Sequence, residues 1–176
     1  MNRIPKSAGK QPKAVPGRPV LAISEAVVRA SEQWLRAGFW RPTEKVVYWA
    51  GIKRSDVCTA LTVIRPDARL TRGSFRTTSE ANAEVIAFLS DTGLALVGQV
   101  HTHPGASVDH SDGDDEDAFM PTENYISIVV PNYCRGGMLP IERCGVHRYE
   151  GRTFRRMKGD ELYASVCVVG LKRDFA

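Results

Sequence analysis

The sequence holds no apolar run long enough to cross a bilayer as a helix, which takes about 20 residues, so no membrane span is expected. Its N-terminus carries basic residues but lacks the apolar stretch of a secretory signal, and a cytoplasmic location is expected. Cysteine is scarce and scattered: Cys58, Cys134, Cys144 and Cys167 form no Cys-x-x-Cys pair. Reduced thiols are expected. Cys58 and Cys167 sit in apolar runs and are assigned to the core. No glycine-rich phosphate loop of Walker or dinucleotide type is present, and Gly136-Gly137 reads as a plain turn. The His-Glu-x-x-His helix of the common zinc peptidases is missing. A large charge excess is missing too. The formal net charge is +4, which a solvated basic surface accounts for, so neither nucleic acid nor membrane is expected as a partner.

What remains is an ordinary globular composition. A chain of 176 residues with 43% hydrophobic residues fits one domain with a sizeable core. Residues 1–19 carry Lys6, Lys10, Lys13 and Arg18 among Pro5, Pro12, Pro16 and Pro19, and are expected to be a disordered basic tail. Residues 20–176 are expected to form a single domain. Ser24 reads as a helix N-cap and Gly38 as its stop, with Ala26, Val27, Ala30, Trp34 and Leu35 as the inner stripe. A second helix is expected from Ser79 to Gly93, with Val85, Ile86 and Leu89 facing inward. Strands are expected at residues 45–50, 57–64, 94–101 and 125–130. A late hairpin, 146–149 with 152–157, is expected around Glu150-Gly151. Strands interleaved with helices give an α/β (α+β) fold.

The chemistry concentrates after the apolar run 94–100, in His101-Thr102-His103-Pro104 and then Ser111 and Asp114. Residues i and i+2 of a strand share a face, so His101 and His103 can aim at one ion. Neutral imidazole is a common zinc ligand, and a catalytic zinc needs only three protein ligands. Asp114 is the natural third. The acidic run from Asp114 to Asp117 reads as a helix start, where the macrodipole favours carboxylates. A zinc deaminase would carry His-x-Glu and a later Pro-Cys-x-x-Cys. Position 103 is His, and neither Cys134 nor Cys144 has such a partner.

His-x-His-Pro, six residues, then Ser-x-x-Asp resembles the JAMM motif of the JAB1/MPN/Mov34 metalloproteases. Glu44-Lys45-Val46-Val47-Tyr48-Trp49-Ala50-Gly51 resembles that family's upstream glutamate at the head of an apolar strand. The resemblance spans roughly residues 44–130. It implies a curved mixed sheet flanked by helices, JAB1/MPN-like and cytidine-deaminase-like. It implies zinc on His101, His103 and Asp114, with Glu44 as general acid/base and Ser111 assisting at the tetrahedral intermediate. His110 is expected in a mobile loop without catalytic duty, a proton relay being the second reading. His147 is expected to be a satisfied structural histidine.

The same resemblance implies cleavage of a peptide or isopeptide bond after the C-terminus of a ubiquitin-like protein, in deconjugation or precursor processing. The short form is similar to bacterial single-domain JAB proteins that accompany activating-like and conjugating-like enzymes, antiphage systems included. Two other readings stand beside it. One is release of a small amine or amino acid from a ubiquitin-like sulfur carrier. The other is a non-catalytic MPN binding module, whose structural metal would need a fourth protein ligand such as Asp112 or His110. Residues 105–110 and 65–76 are expected to border the substrate channel, with Arg65, Arg69, Arg72 and Arg76 facing either acidic groups of the tag or solvent.

Overall fold

Valine, tyrosine and tryptophan alternate sides along residues 46–49, and both sides are buried. A strand with two buried faces needs cover on each. Val47 and Trp49 join one apolar cluster and Val46 and Tyr48 another. In this computed structural model, residues 20–36, 42–116 and 118–170 are described. The chain runs β1 (Val20–Ser24), α1 (Glu25–Leu35), β2 (Val46–Lys53), β3 (Val57–Ile64), β4 (Ala68–Leu70), β5 (Phe75–Thr77), α2 (Ser79–Thr92), β6 (Ala95–Thr102), α3 (Asp112–Glu116), β7 (Ile126–Val130), β8 (Gly145–Glu150), β9 (Thr153–Met157), α4 (Gly159–Ser165) and β10 (Val166–Val169).

Eight strands form one curled mixed sheet in the order β10-β1-β3-β2-β6-β7-β8-β9, and β4-β5 form a separate hairpin. The pairs β1–β10, β1–β3 and β6–β7 are parallel and the rest antiparallel. Helix α1 covers one face through Val27, Val28 and Leu35, joined by Leu162 of α4. On the other face Val85 of α2 packs with Tyr48, Phe75 and Phe119. The architecture is the curved mixed sheet with helices on both sides that the sequence implied. Among the described residues no helix is long and apolar enough to cross a membrane.

The caps are local and follow the sequence. Ser24 accepts from the backbone N–H of Val27, and Gly93 closes α2 in the left-handed region that glycine enters without strain. The tail at 1–19 and the stop at Gly38 lie outside the described residues. Some expectations need correction. Ala26 and Ala30 of α1 are exposed, and the buried line runs Val27, Val28, Ser31 and Leu35 instead. Ser31 belongs inside because its hydroxyl accepts from Trp49 Nε1 at 2.9 Å and donates to Val27 O at 2.8 Å. Ile86 is 48% exposed, because only the Ala81–Val85 line of α2 meets the sheet. Cys167 is exposed on edge strand β10, where alternation turns Val166 inward instead. Strands β1 and β10 went unread, since their parallel pairing joins residues far apart in sequence.

Ser31→Ala leaves the buried Trp49 N–H without its acceptor. A cost of about 1–3 kcal/mol is expected in urea denaturation, and an unchanged midpoint would mean that the bond does not tie α1 to the sheet.

Candidate metal centre

Register places the histidines. His101 lies opposite Val46 on β2 and opposite Val129 on β7, near the end of β6. His103 lies just beyond the strand but stays in line with it. Its N–H donates to Val130 O at 2.9 Å and its carbonyl accepts from Tyr133 N at 2.8 Å. The two imidazoles therefore keep the same face, with ring centroids 5.2 Å apart. Thr102, between them, faces away and clamps β2. Its N–H donates to Lys45 O and its hydroxyl accepts from Lys45 N, both at 3.0 Å. This clamp sets Glu44 beside His103.

Ser111 and Asp114 form a reciprocal cap at the start of α3. Asp114 N donates to Ser111 Oγ at 3.2 Å, while Ser111 N and Oγ donate to Asp114 Oδ2 at 2.7 and 2.8 Å. The Ser-x-x-Asp spacing thus does local work: it aims one carboxylate back over the turn. Asp114 Oδ2 also lies 3.2 Å from His103 Nε2, and Oδ1 lies 3.3 Å from His101 Nε2. One donor atom from each of His101, His103 and Asp114 falls within 4.8 Å of the others, and all three residues are buried.

This donor set fits zinc. Both ring nitrogens of His101 are buried without a hydrogen-bond partner, and its Nε2 faces Asp114 Oδ1 at 3.3 Å. Such orphaned groups are costly unless something satisfies them. A cation held by the two imidazoles and the carboxylate would engage His101 Nε2, the nitrogen that faces Asp114, and a set of three leaves one position open. Neither residue named above as a fourth ligand joins the cluster. Asp112 is exposed, and both nitrogens of His110 are engaged elsewhere.

The electrostatics divide the two carboxylates. Burial raises Asp114, but its contacts with His101, His103 and the Ser111 N–H outweigh this and hold it well below the usual carboxylate range. Burial pushes Glu44 up, His103 draws it back and Asp114 adds to the rise, leaving it at about 7. A carboxyl poised there can hold or release a proton at neutral pH, as a general base must. Of the segment 65–76, two residues reach this region. Glu44 N donates to Thr71 O at 2.8 Å, and the Phe75 ring lies 5.3 Å from His101. Arg65 lies over the Trp34 ring at 3.4 Å, while Arg69, Arg72 and Arg76 are exposed.

Two histidine expectations need correction. The His110 side chain is only 6% exposed. Its Nδ1 meets Asp115 Oδ1 at 2.7 Å and its Nε2 meets Ser127 Oγ at 2.9 Å. His147 is buried in β8 as expected, yet its Nδ1 has no partner. Burial, with His110 and His101 nearby, pushes it down to about 3, so it stays neutral. Asp115, His110 and Ser127 have the order of a hydrolase triad, but Ser127 is wholly buried within the sheet and no substrate reaches it. Sequence reasoning missed Ser127 and Gln99. Their signal was polarity: each interrupts an otherwise apolar buried strand.

No family model matches the chain. Over 119 residues, 65% of this chain and 73% of the relative, it is 29% identical to a protein of Sinorhizobium fredii named a probable metalloprotease. A Desulfitobacterium hafniense protein with a known solution structure shares the fold at a TM-score of 0.63 and 12% identity, covering 86% of this chain and 94% of its own. A JAB1/MPN domain protein of Archaeoglobus fulgidus aligns at a TM-score of 0.47 and 16% identity, over 84% of this chain and 98% of its own.

Protein purified without added metal is expected to carry one zinc per chain by elemental analysis, and His103→Ala to lose it while keeping its circular dichroism. No zinc in the wild type, and none taken up on titration, would count against the site.

Proposed function

We propose, from an assignment to the JAB1/MPN/Mov34 family that the motif, the curled mixed sheet and the likeness to a probable metalloprotease support, that this chain is a zinc-dependent JAMM-type peptidase acting after the C-terminus of a ubiquitin-like protein. The observation that carries the reading is a buried Glu44 beside a cluster of three buried metal donors, with no fourth protein ligand among the described residues. His101, His103 and Asp114 would hold the zinc. Bound there, it supplies a Lewis acid and acidifies water toward neutrality.

The remaining work falls to the chain's own residues. Glu44 takes a proton from the attacking water and passes it to the leaving amine. Ser111 donates a hydrogen bond to the carbonyl oxygen as charge develops there, a contact worth roughly 3 kcal/mol in other enzymes. Its hydroxyl must first turn from Asp114, whose carboxylate keeps the Ser111 N–H. Ser111 is not the nucleophile, because water fills that role.

The substrate is an extended C-terminal tail that pairs along an exposed strand edge, with a small residue expected before the cut. Its source is a ubiquitin-like protein or its conjugate, handled together with activating-like and conjugating-like enzymes of a bacterial system, antiphage systems among them.

Fusions of a ubiquitin-like protein to a reporter are the test. Cleavage at the tag's C-terminus, stopped by chelator and slowed by a bulky residue before the cut, is expected. Cleavage of unfolded peptides at many sites would reject tag specificity. Glu44→Gln should keep its zinc and lose turnover by about 10²–10⁴-fold; loss of zinc from this variant would make Glu44 a ligand and overturn its assigned role.

A further inference from the structure

A histidine that binds metal usually donates its other ring N–H to a carboxylate or backbone carbonyl, which fixes the ring. His101 has no such partner, since its Nδ1 is buried and unpaired. Packing must hold its ring instead. Phe75 lies 5.3 Å from it, and the edge of His110 lies 5.4 Å away at 62°. We propose that His110 is a positioning residue for the metal centre, locking the His101 ring and the turn that carries Asp114. The inference rests on the reading of His101, His103 and Asp114 as metal ligands.

His110 is itself fixed from several sides. Gln99, Ser127, His147 and Arg156 lie in register across β6, β7, β8 and β9, a polar row next to the row that carries His101. Ser127 Oγ accepts from Gln99 Nε2 at 3.0 Å and meets His110 Nε2 at 2.9 Å. Asp115, as a carboxylate, can only accept, so His110 Nδ1 donates to it. In the neutral ring Nε2 then accepts from the Ser127 hydroxyl. The bonds run one way, from Gln99 through Ser127 and His110 to Asp115, and each donor meets an acceptor. The His110 ring also packs against His147 at 4.2 Å and Phe154 at 4.6 Å.

The backbone before His110 lies flat on the sheet. A Cβ on Gly145 would stand 1.7 Å from Val108 O, so only glycine lets the loop come so close. Arg156 pairs with Asp109 at 2.6 Å. The consequence reaches both ligands. Ser111, the next residue, holds Asp114, and Asp115, the residue after Asp114, is held by His110. His110 therefore braces both sides of the Asp114 turn and one side of the His101 ring.

The test uses the full chain and metals alone. Zinc affinity is read by competition with a chromophoric chelator, and ligand geometry by the visible spectrum of the cobalt-substituted protein. His110→Ala and Ser127→Ala are each expected to weaken zinc binding about 10–100-fold, the range for lost supporting contacts, and to shift the cobalt bands. Arg29→Ala, which removes only an exposed ion pair with Glu25 on α1, should leave both near wild type. If His110→Ala does not fold, Ser127→Ala decides by the same readouts. Wild-type affinity and an unchanged cobalt spectrum in the folded variants overturn the proposal. A wild-type chain that takes up no metal overturns the proposed function, and this role with it.

Discussion

A carboxylate held out of water between two imidazoles is the constraint around which the site is arranged. Burying Asp114 without compensation would cost several kcal/mol or neutralise it. Instead the Ser111 N–H and O–H both donate to it, and two ring nitrogens face it. Each contact has a structural source. The serine comes with the helix start, at the spacing a reciprocal cap requires. The imidazoles come from alternate positions near the end of a buried strand. The arrangement leaves His101 without a hydrogen bond of its own, which marks the place where a cation belongs.

The sheet serves this arrangement through register. The β2–β6 pairing, closed by Thr102 and Lys45, brings Glu44 to the same end as the histidines. One carboxyl is thereby kept charged by its donors while the other is pushed toward neutrality by burial, and this split suits one to hold a metal and the other to move a proton. The parallel β6–β7 pair puts Ser127 beside Gln99 and gives the loop before Ser111 a polar floor to lie on.

What was legible in the sequence was local. His-x-His and Ser-x-x-Asp carry their geometry in their spacing. Strand β3 was readable to the residue, and β6 and β7 to within one or two, because apolar runs bounded by glycine, proline and turn residues need no partner to be seen. What stayed hidden depends on long-range partners. Ser31 has no place in an apolar stripe, and the reason for its burial, Trp49, comes from a strand 18 residues on. The edge strands β1 and β10 exist through parallel pairing with distant segments. His110 looked like a loop residue because its partners sit on β6, β7 and α3, and no short-range pattern links Gln99, Ser127 and Asp115.

Zinc-edge X-ray absorption on the zinc-loaded protein tests the central claim most directly. The account predicts two imidazole ligands, with the remaining donors all oxygen at about 2.0–2.2 Å, as expected for a carboxylate and an open position filled by water. A third imidazole or a thiolate in the position left for water would close the site with a fourth protein ligand, and would contradict a peptidase.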